Sequence, residues 1–356
     1  MAAELIHGGD IYSCKTEDGR YPLDFSSNPN PFGVPKAAKA AIADAAETAD
    51  RYPDPLCREL RKAIAAHETI DEQNIFCSNG AADIIFRLVQ VKKPKRAIVT
   101  APSFAEYELA LKTVGCEITR SFTYPQNDFD ITEDILNQLD SGIDIAFLCN
   151  PNNPTARLID EQLLEKTVKR CEENGILLII DECFLGFCGD YEQRSLKYIA
   201  NRSENVVVIN AFTKLYGMAG VRLGWCVSAD EKLISALYSA GQPWAVSSIA
   251  QAAGVAALTE KDYIIKTQNL VAEQRCFIAD ELQKLGLKVV AGDSNFLLFF
   301  CDDTHLAVKT AKQGVLIRDC SNFYGLDKGW FRVAVRLGEE NERLISAIQK
   351  ALEEDV

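Results

Sequence analysis

Short apolar runs alternate with longer amphipathic stretches through the middle of the chain: "RAIVTA" from Arg96, "IDIAFLCN" from Ile143, "GILLIIDE" from Gly175, "NVVVINAF" from Asn205 and "RLGWCVS" from Arg222. A run that is apolar at every position is a strand buried on both faces. Helix-length segments between such strands predict a sheet covered on each side by helices. The fold class expected is therefore α/β, with a large three-layer α/β/α domain around a mostly parallel sheet. From Ser247, a residue suited to cap a helix, "SSIAQAAGVAALTEKDYIIKTQNLVAEQRCFIADELQKLG" reads as two long helices leading away from the sheet. Beyond them, "LKVVAG", "SNFLLFF", "GVLIRD" and "WFRVAVRL" predict strands and "NERLISAIQKALEE" a helix, together a smaller α+β domain. "LDFSSNPNPFGVP" holds three prolines in thirteen residues, which predicts an ordered irregular arm rather than a regular element. The expected division is an arm over 1–40 that joins the small domain, a large domain over 41–246 and the small domain over 247–356.

Composition narrows the class. With 356 residues and 47% hydrophobic content the chain can bury a sizeable core, and about 150 residues per domain suggests two domains. The net charge of -13, spread along the chain, argues against nucleic-acid or anionic-membrane surfaces, which need basic clusters. A small molecule is the expected partner. "MAAELIHGGDIYSC" lacks the basic start and apolar core of a signal peptide, and no apolar run approaches the roughly 18 residues of a membrane span, so a cytoplasmic location is expected. The twelve cysteines are scattered, several inside apolar runs (Cys149, Cys226, Cys301), as reduced thiols packed as small hydrophobes would be. Only His7, His67 and His305 are present, so a histidine metal site is not expected and a serine–histidine triad has few candidates.

In such sheets ligands sit beyond the carboxyl ends of the strands, and the residues just past each run here are polar. "CSNGAADIIFRLV" places Ser78, Asn79, Gly80 and Ala81 at a helix start, where free N–H groups can bind a phosphate or simply form a capped turn. "IAFLCNPNNPT" ends in a stiff turn carrying Asn153. "GILLIIDECF" puts Asp181 and Glu182 directly after an apolar strand, where a carboxylate needs a cationic or proton-donating partner. "NAFTKLYGMAGVRLGW" holds a single lysine, Lys214, in an apolar and glycine-rich setting, with Thr213 beside it and Arg222 soon after. A lysine there either snorkels its charge to water or serves as a reactive amine. Phosphate binders, an amide, a carboxylate and a primary amine on successive strand ends are jointly what pyridoxal phosphate requires.

"NPNNPT", "IIDE" and "FTKLYGMAGVRLGW", in this order and spacing, resemble the fold-type I pyridoxal-phosphate enzymes of the aminotransferase class I/II family over nearly the whole chain. The pattern is nearest to the branch that holds histidinol-phosphate aminotransferase and the threonine-phosphate decarboxylase of cobalamin biosynthesis. "HGGDIY", "LDFSSNPNPFG", "RYPDP", "FAEY", "QPWAVSSIAQAA" and "LIRDCSNFYGLD" favour the decarboxylase. The resemblance implies that Lys214 condenses with the coenzyme aldehyde, Asp181 pairs with the ring nitrogen, Asn153 bonds the ring 3-oxygen and Tyr107 stacks on the ring. It assigns the coenzyme phosphate to the Gly80 and Ala81 backbone, Thr213 and Arg222. Tyr52 would reach the phosphate site of a second copy, implying a homodimer with shared sites. Arg332 would take the substrate carboxylate, with Arg336 its neighbour, while His7, Asn28, Asn30 and Arg318 would grip a substrate phosphate.

Two departures accompany the resemblance. Phe184 stands where the aminotransferases commonly have a tyrosine, which suits the decarboxylase branch better, and the cup "SNGAAD" lacks the acidic or hydroxyl residue that often follows the glycine. The expected activity is a lyase that decarboxylates L-threonine O-3-phosphate, or O-phosphoserine, to an amino-alcohol phosphate. The alternative is an aminotransferase such as the one acting on histidinol phosphate. A regulatory or binding protein on the same fold is disfavoured by the near-complete set of catalytic residues.

Overall fold

The computed structural model describes residues 7–13, 19 and 21–354. In chain order its strands are β1 (Leu23–Asp24), β2 (Ile75–Ser78), β3 (Arg96–Ala101), β4 (Glu117–Phe122), β5 (Ile145–Cys149), β6 (Leu177–Asp181), β7 (Val206–Ala211), β8 (Gly224–Val227), β9 (Lys288–Val290), β10 (Phe296–Phe300), β11 (Val315–Leu316), β12 (Arg318–Asp319) and β13 (Trp330–Ala334). The large sheet has the order β2-β8-β7-β6-β5-β3-β4. It is parallel except at β8, which runs against both neighbours. The expected runs became its central strands, because each is buried at every position and needs cover on both faces. Separate apolar clusters lie on the two faces, one through Ile98, Leu148, Ile180 and Val208, the other through Val99, Phe147, Ile179 and Val207.

β4 has no counterpart among the expected runs. It is the edge strand, with Glu117, Thr119 and Phe122 exposed, so it carries no continuous apolar signal. Ser247 caps the helix Ser248–Ala257 by accepting from the Ala250 N–H, as expected. That helix does not lead away from the sheet, however. Ala250, Ala253 and Ala257 join the core on one sheet face, and the close-packed small residues bring it onto the helices Lys36–Ala46 and Arg58–Glu68. The helix Lys261–Lys284 then crosses to a four-stranded antiparallel sheet, β12-β13-β10-β9, covered by the helix Gly338–Glu353 around Phe299, Phe331 and Leu344. This is the smaller α+β unit. Among its described residues the arm is irregular apart from β1, which pairs in parallel with β11 and places Phe25 in the small core, and apart from its last five residues, which open the helix Lys36–Ala46.

Candidate active site

The carboxyl ends of β2, β3, β5, β6 and β7 face a cavity of about 600 Å³ that the arm and the small sheet close from the other side. Lys214 follows β7 in the single-turn helix Phe212–Leu215 and lines this cavity. Burial pushes its amine down to about 8, with the positive charges of Arg332 and Arg222 adding to the effect and Cys183 and Asp181 opposing it. Its Nζ stands 5.5 Å from the centroid of the Phe184 ring, so no hydroxyl is offered at that position. Asp181 ends β6 with its Oδ1 accepting from the Cys183 N–H at 3.0 Å and its Oδ2 from the Tyr107 hydroxyl at 2.7 Å. The Tyr107 phenol is pushed upward by burial and then by the Asp181 charge, so it keeps its proton and donates.

The phosphate cup forms where β2 enters the helix Ala81–Lys92. No side chain caps this helix, and its first residues, Ala81 and Ala82, border the cavity. Free N–H groups at the start of a helix attract an anion. Gly80 has φ +86°, and a Cβ there would lie 2.8 Å from Arg222 Nη2; one on Gly224 would lie 2.7 Å from the Ala81 nitrogen. The cradle is thus one that side chains would fill. Thr213 and Arg222 complete its lining. Amine, carboxylate, cup and arginine together fit pyridoxal phosphate.

Opposite the cup, Arg332 on β13 is buried, donates from Nη1 to Asn153 Oδ1 and from Nη2 to the Ser26 carbonyl at 2.7 Å, and keeps Nε without a partner among the described residues. Burial, with the Arg318 charge adding, pushes it down to about 10. Arg318 on β12 is the direct register partner of Arg332 and lines the same cavity. Its Nη1 donates to the Asp319 carbonyl at 2.6 Å and its Nη2 to Asn322 Oδ1 at 2.7 Å. Asn28, also on the wall, has a buried Oδ1 with no partner among the described residues. His7 sits at the mouth, 2.6 Å from Glu106 Oε1.

The family model described as aminotransferase class I and II matches residues 21–348. The chain belongs to this family. Pyridoxal phosphate is accordingly its coenzyme, and it is an enzyme of the pyridoxal-phosphate-dependent type. Its relatives in the family include the threonine-phosphate decarboxylase of Salmonella typhimurium, 35% identical over 97% of this chain and 96% of that one. The histidinol-phosphate aminotransferase of Methanosarcina mazei is 32% identical over 97% and 93%. Among solved structures, the histidinol-phosphate aminotransferase from Clostridium acetobutylicum aligns with a TM-score of 0.87 and 27% identity over 93% of this chain and 99% of that one. The L-threonine-O-3-phosphate decarboxylase from Porphyromonas gingivalis shares the fold, at a TM-score of 0.82 and 24% identity over 93% and 100%.

Three residues in this class I and II family member lie otherwise than the resemblance implied. Tyr107 lines the cavity but is buried in the first turn of the helix Glu106–Thr113, with one ring face stacked on Phe147 at 5.1 Å and its hydroxyl on Asp181. Phe104, ahead of that helix, is a second aromatic of "FAEY" on the cavity wall. Asn30 does not line the cavity; its Nδ2 donates to the Leu215 carbonyl at 2.6 Å and to Thr267 Oγ1 at 2.8 Å, and its N–H to the Lys214 carbonyl at 3.0 Å. It anchors the lysine turn to the helix Lys261–Lys284. Arg336 likewise points elsewhere, pairing with Glu340 at 2.9 Å and the Asp24 carbonyl at 3.2 Å. Tyr52, assigned by the resemblance to the site of a second copy, is 80% exposed and stacked on Trp244 at 4.5 Å, outside its own chain's cavity. Cavity-mouth residues without a signal in the sequence include Glu106, Lys112, Asn322 and Tyr324, whose approach depends on the docking of the two units.

Proposed function

We propose that the protein decarboxylates a phosphorylated amino acid, L-threonine O-3-phosphate or its serine analogue, to an amino-alcohol phosphate. The observation that carries this reading is the pair Arg318 and Arg332. Like charges directly opposite each other on neighbouring strands destabilise a sheet, and both guanidinium groups are pushed downward in pKa by burial. Retaining two such cations on one cavity wall suits a ligand with two anionic groups, a carboxylate and a phosphate. The threonine-phosphate decarboxylase relatives, 35% and 34% identical, support the same substrate class.

When bound, pyridoxal phosphate supplies an electron sink for the bond that breaks at the substrate α-carbon. Ala81, Ala82, Thr213 and Arg222 would hold its phosphate, Lys214 its aldehyde carbon, and Asp181, oriented by Tyr107 and Cys183, would keep a proton on its ring nitrogen. Asn153 would meet the ring oxygen and Phe104 would cover the ring. Arg332 grips the substrate carboxylate in a geometry lysine could not reproduce, while Arg318, His7 and Asn28 take the phosphate. Fixing both ends selects which α-carbon bond is aligned for cleavage. Once the substrate amine has taken the place of Lys214, the freed Lys214 amine, holding the proton given up by the substrate ammonium, would return it to the α-carbon as carbon dioxide leaves. The exposed Tyr52–Trp244 stack supports a homodimer in which Tyr52 completes the phosphate site of the second copy.

An aminotransferase is the second reading, favoured by the 32% identical histidinol-phosphate aminotransferase relative. Dependence on a keto acid separates the two. Substrate class is tested by comparing kcat/KM for O-phospho-L-threonine and L-threonine in the wild type and in Arg318→Ala. The expected result is a strong wild-type preference for the phosphorylated compound, reduced at least about tenfold by the substitution. Equal turnover of the two compounds by the wild type would contradict the reading.

A further inference from the structure

We infer that Tyr324 is a positioning residue that sets the substrate-phosphate selectivity by clamping the 320–326 loop across the two units. The inference rests on the reading that Arg318 receives a phosphate. Its basis is a continuous chain of contacts over the cavity mouth. Arg120 on the edge strand β4 is held by a bidentate pair with Glu108, at 2.7 and 2.6 Å, and its guanidinium carbon lies 3.8 Å from the centroid of the Tyr324 ring. Lys112 Nζ approaches the same ring at 5.8 Å. Tyr324 belongs to the smaller unit, whereas all three charged residues belong to the larger one. A guanidinium over an aromatic face is attractive, and more so when a carboxylate fixes the cation.

The loop is also seated by shape. Gly325 has φ +86°, and a Cβ there would come within 3.2 Å of Phe122 Cδ1 and 3.5 Å of the Ala101 carbonyl, at the paired ends of β4 and β3. Two residues before Tyr324, Asn322 accepts the 2.7 Å bond from Arg318 Nη2. The ring of Tyr324 is 53% exposed, so burial does not explain its placement. The cation contact does. Glu108 and Arg120 of the larger unit thus hold Tyr324, and with it the loop whose Asn322 fixes the fork of Arg318. Without the clamp, Arg318 would have to be ordered at the moment of binding, weakening affinity for the phosphate-bearing ligand only.

The test uses the coenzyme-loaded protein and compares kcat/KM for O-phospho-L-threonine with that for L-threonine. For Tyr324→Ala the ratio of the two values is expected to fall about tenfold, with the L-threonine value unchanged; Tyr324→Phe, which keeps the ring face, retains the wild-type ratio. Asn322→Ala is expected to fall like Tyr324→Ala, and combining the two adds little, because they lie on one path. An unchanged ratio in Tyr324→Ala, or equal losses in the Ala and Phe variants, overturns the inference alone. A wild-type ratio near one overturns the phosphorylated-substrate reading and the inference with it.

Discussion

At the residue scale the proposed chemistry rests on Lys214. An amine attacks an aldehyde only without its proton, and burial beside Arg332 and Arg222 lowers its pKa from 10.5 to about 8. Uptake of pyridoxal phosphate by the apoprotein, followed by its visible absorbance, should accelerate as pH rises through about 8 and then level off. A rate that kept climbing to 10.5, the ordinary lysine value, would contradict this placement. The sign for stability agrees: the unfolded chain holds the lysine proton longer, so the apoprotein gains stability between about 8 and 10.5 and loses that gain as pH falls through about 8. As cavity-lining residues Lys214, Asp181, Thr213 and Arg222 were legible because each lies just past an apolar strand or beside one, at the edge of the sheet. The orientation of Tyr107 was not, since its face depends on where the helix Glu106–Thr113 begins, and the structure turns it toward Asp181 and Phe147.

At the element scale the cup depends on how closely backbones approach. The Gly80→Ala change would add strain at φ +86° and drive a methyl group to 2.8 Å from Arg222 Nη2. The expected outcome is a dissociation constant for pyridoxal phosphate raised about tenfold, the strain being on the order of 1–2 kcal/mol, measured by equilibrium dialysis. Unaltered coenzyme affinity would show that the cup does not need this approach. The glycine was legible as a helix start, but its contact with Arg222 joins positions far apart in sequence. Likewise, the fully apolar strands announced themselves, whereas β4, half exposed at the edge, and β1, two residues long, did not. The alanine-rich segment 248–257 had the composition of a helix, and only its small side chains, packed on Lys36–Ala46, show which core it serves.

At the scale of the whole molecule the site draws on the arm, the large sheet and the small sheet at once, which is why Asn30 and Arg336 could be read as pocket residues although they secure the junction. A second copy is expected to complete it. Mixing and refolding Tyr52→Ala with Lys214→Ala should regenerate sites with both wild-type residues and recover turnover that Lys214→Ala alone lacks and Tyr52→Ala holds weakly. Sedimentation should give twice the 39.3 kDa chain mass. No recovery in the hybrids would contradict shared sites. The account's central claim is that the cavity breaks the bond to the carboxylate of a phosphorylated amino acid. It is tested most directly by supplying the coenzyme-loaded protein with carboxyl-labelled O-phospho-L-threonine and counting labelled carbon dioxide against substrate consumed, with and without 2-oxoglutarate. One carbon dioxide per substrate, with no need for the keto acid and no glutamate formed, is the predicted result; consumption only with 2-oxoglutarate, yielding glutamate and no labelled gas, would contradict it.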